Sequence, residues 1–354
     1  MKIIHTSDLH LASPLTTRLS HLEAAARKRE LTESFRRIID IAVKECAEAI
    51  IIAGDLFDSD RINARTLSGI TEAIAAASEI TFLYLPGNHE RGVLASSGIS
   101  LPGNLKIFGK EWTYYTLSGV TFAGRSEIPR DAFSTLELSK EGTNIVVLHG
   151  VLADRCDGEE RIGLSDLEGL PIDYLALGHY HTYSSTEISS RAAAVYSGTP
   201  EGRGFDETGE KGFVKVSVTP TGVGHVFVPS ASRRLHAIEV DISGAVREMD
   251  IEDKVRAALE IIPREDLVRV ILTGEHEPSL RRDVDSLTER FKGGRFFLEV
   301  RDSSRMRISA DDYKNDISLK GEFIRLVLAD ESLDDIDKEA IIELGLTALA
   351  GETI

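Results

Sequence analysis

The sequence predicts an α/β protein in which two packed β-sheets are flanked by helical layers in α-β-β-α order, followed by a small α/β capping unit and C-terminal helices. Three observations predict it. Short β-branched and apolar runs recur through the first 230 residues, as buried strands require. Amphipathic helical stretches separate the earliest runs, giving strand–helix–strand units. Five of the runs end in small clusters of Asp, Asn, His and Gly, all within the first 181 residues, the placement expected of groups gathered at one sheet edge.

Taken in order, Lys2-Ile3-Ile4-His5-Thr6 is the first strand and leads into Asp8-Leu9-His10. A long helix is expected from Leu22 to Cys46, with Leu31, Phe35, Ile38, Ile39 and Ala42 on one face. The run Ile50-Ile51-Ile52-Ala53 delivers Gly54-Asp55, a second helix covers Ala64 to Ala77, and Ile80 to Pro86 delivers Gly87-Asn88-His89-Glu90. Strands are then expected at Leu105–Phe108, Val120–Ala123, Asn144–Leu148, Asp173–Leu177, Ala193–Tyr196, Gly212–Val218 and Val223–Val228. Two of these end in His149-Gly150 and Gly178-His179-Tyr180-His181. Ser197 to Asp206, rich in glycine and broken by proline, reads as a loop crossing the rim of the site.

Small polar residues near Ser230-Ala231-Ser232 mark a boundary, giving a catalytic domain over 1–230, a capping domain over 231–306 and a helical segment over 307–354. The capping stretch reads as strand Leu235–Val240, helix Glu252–Ile261, strand Leu267–Thr273, helix Leu280–Phe291 and strand Phe296–Val300. The last region, Ile317 to Ala350, reads as two helices broken at Asp330-Glu331-Ser332, with Ser332 as N-cap of the second.

Asp, Asn and His without cysteine point to hard or borderline divalent ions such as manganese, magnesium or zinc. Two ions need a bridging oxygen donor, and Asp55, central among the motifs, is the expected bridge. Asp8 and His10 can both turn to one ion, His179 and His181 can straddle the pair, and Asn88 offers a neutral carbonyl oxygen. Such a pair polarises a phosphoryl oxygen and activates water for in-line attack, so phosphate-ester hydrolysis is the expected reaction. His89, held beside the ions without binding one, is placed to protonate the leaving alkoxide. Asp58 and Asp60 read as loop-capping residues, with Asp58 supporting the metal ligands from behind, and His5 as a packed residue of the first strand.

The set D-x-H, G-D, G-N-H-[DE], H and G-H-x-H resembles the signature of the calcineurin-like metallophosphoesterases. Met1 to Leu11 and Ala53-Gly54-Asp55-Leu56-Phe57-Asp58 are similar to the SbcD nuclease family, and Leu319 to Arg325 with Ile342 to Leu346 look closest to its YhaO-like branch of DNA repair exonucleases. The resemblance implies the four-layer metallophosphoesterase sandwich, with one ion on Asp8, His10, Asp55 and His181, the other on Asp55, Asn88, His149 and His179, and His89 as catalytic histidine. It also implies manganese as the foremost metal, with magnesium, zinc or iron as alternatives. DNA is the implied substrate, the capping unit helps admit it, an SbcC-like (SMC-like) ATPase docks on the C-terminal helices, and the chain forms a homodimer. Glu90 stands where relatives often have Asp and is read as neutral.

Composition sets bounds. No apolar run spans a bilayer, the chain enters a strand within ten residues with no room for a signal peptide, and two isolated cysteines suit a reducing cytoplasm. A net charge of −17 is unfavourable for a general DNA binder, since phosphate contacts draw on Lys and Arg. Arg125, Arg130 and Arg203 are candidates for substrate phosphate, each weighed against an ordinary solvated arginine. The function classes left are a metal-dependent DNA nuclease with an ATPase partner, a phosphoesterase of the same fold acting on small nucleotides or phosphoproteins, and a scaffold subunit of an ATPase complex.

Overall fold

A computed structural model describes residues 1–15, 19–59, 62–87, 90, 94, 100–154, 160–277, 280–307 and 313–349. The chain divides into two compact units, Met1–Arg234 and Leu235–Ile354.

In the first unit the chain runs through β1 (Lys2–Thr6), α1 (His21–Lys44), β2 (Ala49–Ala53), α2 (Ala64–Ala76), β3 (Thr81–Leu85) and β4 (Leu105–Ile107). It continues with β5 (Thr113–Leu117), β6 (Val120–Gly124), β7 (Thr143–His149), β8 (Val151–Ala153), β9 (Arg161–Gly163) and β10 (Tyr174–Gly178). The last strands are β11 (Ser184–Ser189), β12 (Ala192–Tyr196), β13 (Gly212–Thr219) and β14 (Gly222–Pro229). One six-stranded sheet has the order β14-β13-β1-β2-β3-β4, and β1 to β4 are parallel. The other has the order β11-β12-β10-β7-β6-β5, with β12, β10, β7 and β6 parallel between antiparallel edges.

Strand alternation divides the core into layers. Ile50 and Ile52 face outward and pack with Phe35, Ile38, Leu67, Ile70 and Ile74 of the two helices. Ile51 faces inward and meets Phe122, Ile145, Val147 and Ala176 of the second sheet. The expected face of α1 is buried as read. The outer side of the second sheet is covered by Ile128, Phe133, Ile162 and Leu167, carried by a loop, the short strand β9 and single helical turns (Ala132–Thr135 and Leu164–Leu167), so this layer is thinner than the first. His5 lies fully buried on β1 with Nδ1 2.9 Å from the Tyr174 hydroxyl, and burial lowers its pKa to about 3.

Helix α1 also fixes a loop. The Arg27 guanidinium, 1% exposed, donates to Glu201 Oε2 at 3.3 Å and to Gly202 O at 2.7 Å. Arg37 and the Ser232 amide both reach Glu201 Oε1 at 2.6 Å. The segment between β12 and β13 is thereby tied to the helix.

The second unit contains β15 (Leu235–Asp241), α3 (Glu248–Leu259), β16 (Leu267–Thr273), β17 (Glu275–His276), α4 (Val284–Lys292), β18 (Phe297–Asp302) and β19 (Arg305–Met306). Strands β15, β16 and β18 form a parallel sheet whose core includes Val268, Val270, Leu272, Ile251, Val255 and Leu287. Helices α5 (Leu319–Ala329) and α6 (Asp335–Leu349) follow and pack through Ile324, Val327 and Ile342. The expected cap is corrected here: Ser332 bonds back to Asp330, and the Asp334 carboxylate accepts from the Asp337 amide. No helix among the described residues is long and apolar enough to cross a membrane.

Arg37 and the Ser232 amide still hold Glu201 when Arg27 is removed, so the loss is of one buried charge-assisted pair, the bond to Gly202 O and the packing of the side chain. Arg27→Ala is therefore expected to destabilise the first unit by about 1.5–3 kcal/mol, read as a lowered denaturation midpoint with an unchanged m-value.

Candidate metal centre

The polar motifs lie at the C-terminal ends of parallel strands in both sheets. β1 leads to Asp8 and His10, β2 to Asp55, β7 ends on His149, and β10 leads to His179 and His181. The loops after β1 and β2 run side by side, with Asp8 N–H donating to Gly54 O at 3.1 Å, His10 N–H to Asp55 O at 3.0 Å and Leu11 N–H to Leu56 O at 2.9 Å. This pairing directs residues from two strand ends to one point. Asn88, His89 and Asp60 lie outside the described residues.

Among the described residues two groups could hold an ion, Asp8 with His10 and His181, and Asp8 with Asp55 and His149. Asp8 is common to both. Asp55 Oδ2 lies 3.8 Å from His10 Nε2 and 3.3 Å from His149 Nε2, so it too sits between the groups. His179 belongs to neither, but its ring stands edge-on to His149 with centroids 5.5 Å apart, and its amide donates to both oxygens of Asp8 at 3.1 Å. Ser7 supports the same carboxylate and is joined to Ser197 at 2.8 Å.

The three imidazoles in these groups share one orientation. His149 Nδ1 donates to Ala53 O at 2.9 Å, His181 Nδ1 to Glu207 Oε1 at 2.7 Å, and His10 Nδ1 faces Asp58 Oδ1 at 3.0 Å. With Nδ1 hydrogen-bonded behind in His149 and His181 and facing a carboxylate in His10, each Nε2 points inward, the arrangement that fixes a metal-binding tautomer once Nε2 gives up any proton. His10 Nε2 and His181 Nε2 stand 3.2 Å apart. One N–H···N hydrogen bond spans that distance in the metal-free protein, and a single ion would span it as well, since two nitrogens each about 2.1 Å from an ion are about 3–3.4 Å apart. The donor set therefore fits a divalent metal.

The electrostatics agree. Burial alone would lower the His149 pKa, but contact with Asp55, the charge of Asp8 and the bond to Ala53 O outweigh it and push the pKa up to about 9. At His179, burial and the neighbouring His149 lower the pKa against the pull of Asp8. Burial opposes ionisation of Glu207, yet the His181 bond and the Arg203 guanidinium bring its pKa down to about 2.

Backbone geometry at the centre is unusual. Asp8, His10, Asp55 and His179 have φ of 51°, 44°, 50° and 107°, in the left-handed region that side chains rarely occupy. Two motif glycines make room for this. A Cβ on Gly54 (φ 92°) would lie 2.0 Å from His149 Nδ1, and one on Gly87 would lie 2.0 Å from Asp55 Oδ1.

Some roles were not visible in the sequence. Glu90, read as neutral, is fully buried and accepts the amides of Leu56 and Phe57 at 2.8 and 2.6 Å, holding the loop that carries Asp55; burial pushes its pKa up to about 8. Glu207 lies behind His181, and Lys211 donates to His181 O at 2.7 Å. The clue available for both was their position after another strand of the same sheet. The solvated reading of two arginines is corrected: Arg125 is buried over Trp112, 5.6 Å from the ring centroid, and Arg203 is bonded to Asp58 and Glu207. Arg130 is exposed.

Residues 1–187 match the family model of the calcineurin-like phosphoesterases. The chain belongs to that family. This phosphoesterase is 28% identical over 263 residues to the uncharacterised metallophosphoesterase YhaO of Bacillus subtilis, a match covering 69% of this chain and 64% of YhaO. It is 25% identical over 369 residues to the DNA double-strand break repair protein Mre11 of Haloferax volcanii, covering 99% of this chain and 75% of that one. Among solved structures, a dimetal phosphatase from Danio rerio matches with a TM-score of 0.42 at 12% identity, over 65% of this chain and 99% of that chain.

Because the folded-state pKa of His149 is raised from 6.5 to about 9, its contribution to metal-free stability is complete below pH 6.5 and lost as pH rises through 9. An ion binding Nε2 must displace that proton. Apparent manganese affinity is expected to rise with pH across this window, with proton release seen as a buffer-dependent heat in calorimetric titration. A pH-independent affinity would contradict the site.

Proposed function

We propose that the chain is a two-metal phosphodiester hydrolase whose substrate is DNA, a nuclease of SbcD type working with an SMC-like ATPase. The observation that carries the hydrolase reading is the convergence of three Nε2 atoms on two buried carboxylates, each imidazole held from behind. Support for DNA comes from the relatives named as DNA double-strand break repair protein Mre11, two of which match 99% of this chain at 25% and 26% identity.

In this reading Asp8, His10, Asp55 and His181 hold one ion, and Asp55, Asn88, His149 and His179 hold the other. Manganese is the proposed metal, with magnesium, zinc or iron as alternatives from the same oxygen and nitrogen donors. Bound there, the pair supplies Lewis-acid stabilisation of phosphate charge and an activated water. The chain's own residues supply the rest. Asp55 fixes the spacing of the two subsites from its place between His10 and His149. His89 donates a proton to the leaving alkoxide. Burial of Asp8 and Asp55 keeps competing water away from the carboxylates.

The C-terminal helices are the proposed ATPase-docking element. Ile317, Leu319, Leu326 and Leu344 are exposed there, while the small core between α5 and α6 is formed by others. A homodimer belongs to the same reading.

The deciding experiment is manganese-dependent degradation of linear single- and double-stranded DNA by the purified chain, with a small aryl phosphodiester in parallel. Wild type is expected to degrade DNA and Asp55→Asn to be inactive; near-normal activity in that variant would remove the bridging role. Cleavage of the aryl ester alone would favour the small-nucleotide reading. His89→Ala is expected to keep both ions by metal analysis while turnover falls about 10²–10⁴-fold. Loss of metal would make His89 a ligand instead.

A further inference from the structure

Arg203, in the loop between β12 and β13, contacts the two carboxylates that stand behind His10 and His181. Its NH1 donates to Asp58 Oδ1 at 2.8 Å, and NH2 and Nε donate to Glu207 Oε1 at 2.8 and 3.1 Å. Those are the same two oxygens that face the imidazoles, Asp58 Oδ1 at 3.0 Å from His10 Nδ1 and Glu207 Oε1 at 2.7 Å from His181 Nδ1. One guanidinium therefore ties together a ligand from the first sheet and a ligand from the second. Glu207 Oε2 also accepts the Arg203 amide at 2.7 Å, which fixes the base of the side chain. The arginine is 17% exposed, and its loop is held to α1 through Glu201.

His149 is supported differently, by the neutral carbonyl of Ala53. Only the Asp8–His10–His181 group has anionic partners behind two of its ligands, and an anionic partner raises the basicity of an imidazole ligand. Two carboxylates turned toward the same corner would swing apart without a cation between them. A planar fork can satisfy both at once, whereas an ammonium acts as a point charge and cannot hold two carboxylates in fixed orientation.

We propose that Arg203 is a positioning residue of the metal centre: through Asp58 and Glu207, and through its own NH2 lying 3.2 Å from His181 Nδ1, it sets the separation of His10 and His181, and so governs how tightly the Asp8–His10–His181 group holds its ion. This assigns the guanidinium to the protein's own carboxylates rather than to substrate phosphate. It rests on the metal-centre reading above.

The test is manganese titration of the full chain by calorimetry and by electron paramagnetic resonance, for wild type, Arg203→Gln, Arg203→Lys and Asp58→Asn, with thermal melts of the metal-free proteins. Arg203→Gln is expected to weaken one class of ion about 10–100-fold and leave the other class unchanged, with a lowered melting temperature of the metal-free protein because Asp58 and Glu207 lose their shared cation. Arg203→Lys should show a comparable loss, because charge without the fork is insufficient, and Asp58→Asn should weaken the same class from the other end of the bridge. Unchanged manganese affinity in Arg203→Gln with reduced kcat/KM would overturn the proposal and return the guanidinium to the substrate. Equal weakening of both classes would also overturn it, by showing a general structural role. If wild type itself binds no manganese, the metal-centre reading fails first and the positioning role with it.

Discussion

Two carboxylates, Asp8 and Asp55, are buried side by side at 0% and 2% exposure, and the first unit is organised around that charge. Taking a carboxylate out of water costs several kcal/mol even after relaxation, and two together repel. Part of the cost is met by fixed donors: His179 N–H on both oxygens of Asp8, Ser7, and His149 held protonated by its neighbours. The left-handed backbone at Asp8, His10 and Asp55 fits the same demand, since it turns the side chains inward while the amides of Asp8 and His10 bond to the adjacent loop. Divalent charge completes a centre that protein donors alone leave strongly negative.

Support for this centre comes from two directions. From below, the parallel strands are nearly all apolar, so their ends are placed by a core that cannot shift without losing burial on both faces. From the side, the segment between β12 and β13 brings Arg203, Glu207 and Lys211 to the rim and is anchored on α1 by the buried Glu201. A long loop on a rigid scaffold is ordinarily the least precise place for a side chain. Here burial of Glu201, Arg27 and Lys211 removes that freedom.

Much of the architecture was legible because buried parallel strands write themselves as apolar runs: β1, β2, β3, β7, β10 and β12 were all read within two residues of their bounds. β5 and β11 were missed for the converse reason. Thr113–Leu117 and Ser184–Ser189 are antiparallel edge strands, exposed or half-buried throughout, and lack the valine-rich alternation that made the edge strand β14 legible. The site followed the same division. Asp8, His10, Asp55, His149 and His181 were visible as polar residues closing apolar runs, and the fold brings them together. Glu90, Glu207 and Lys211 were not, because their partners are backbone and side-chain groups distant in sequence. The N-cap of α6 was misplaced by two residues since Ser332 and Asp334 both satisfy the local pattern, and only hydrogen bonding separates them.

The net charge of −17 bears on the DNA reading less than its size suggests, because it is unevenly distributed. Residues 308–354 carry twelve acidic and four basic side chains, nearly half of the excess in about an eighth of the chain. Much of the remaining acid is engaged: Glu30, Asp58, Asp173, Glu201 and Glu207 each meet an arginine. Asp8 and Asp55 belong to the groups that could hold an ion. Repulsion of a polyanion depends on unpaired charge within about 10 Å at 0.1 M salt, not on the total carried by the chain. The excess is thus divided as −8 in residues 308–354 and −9 in residues 1–307, and what a polyanion meets is set by how much of the latter stays unpaired near the strand ends.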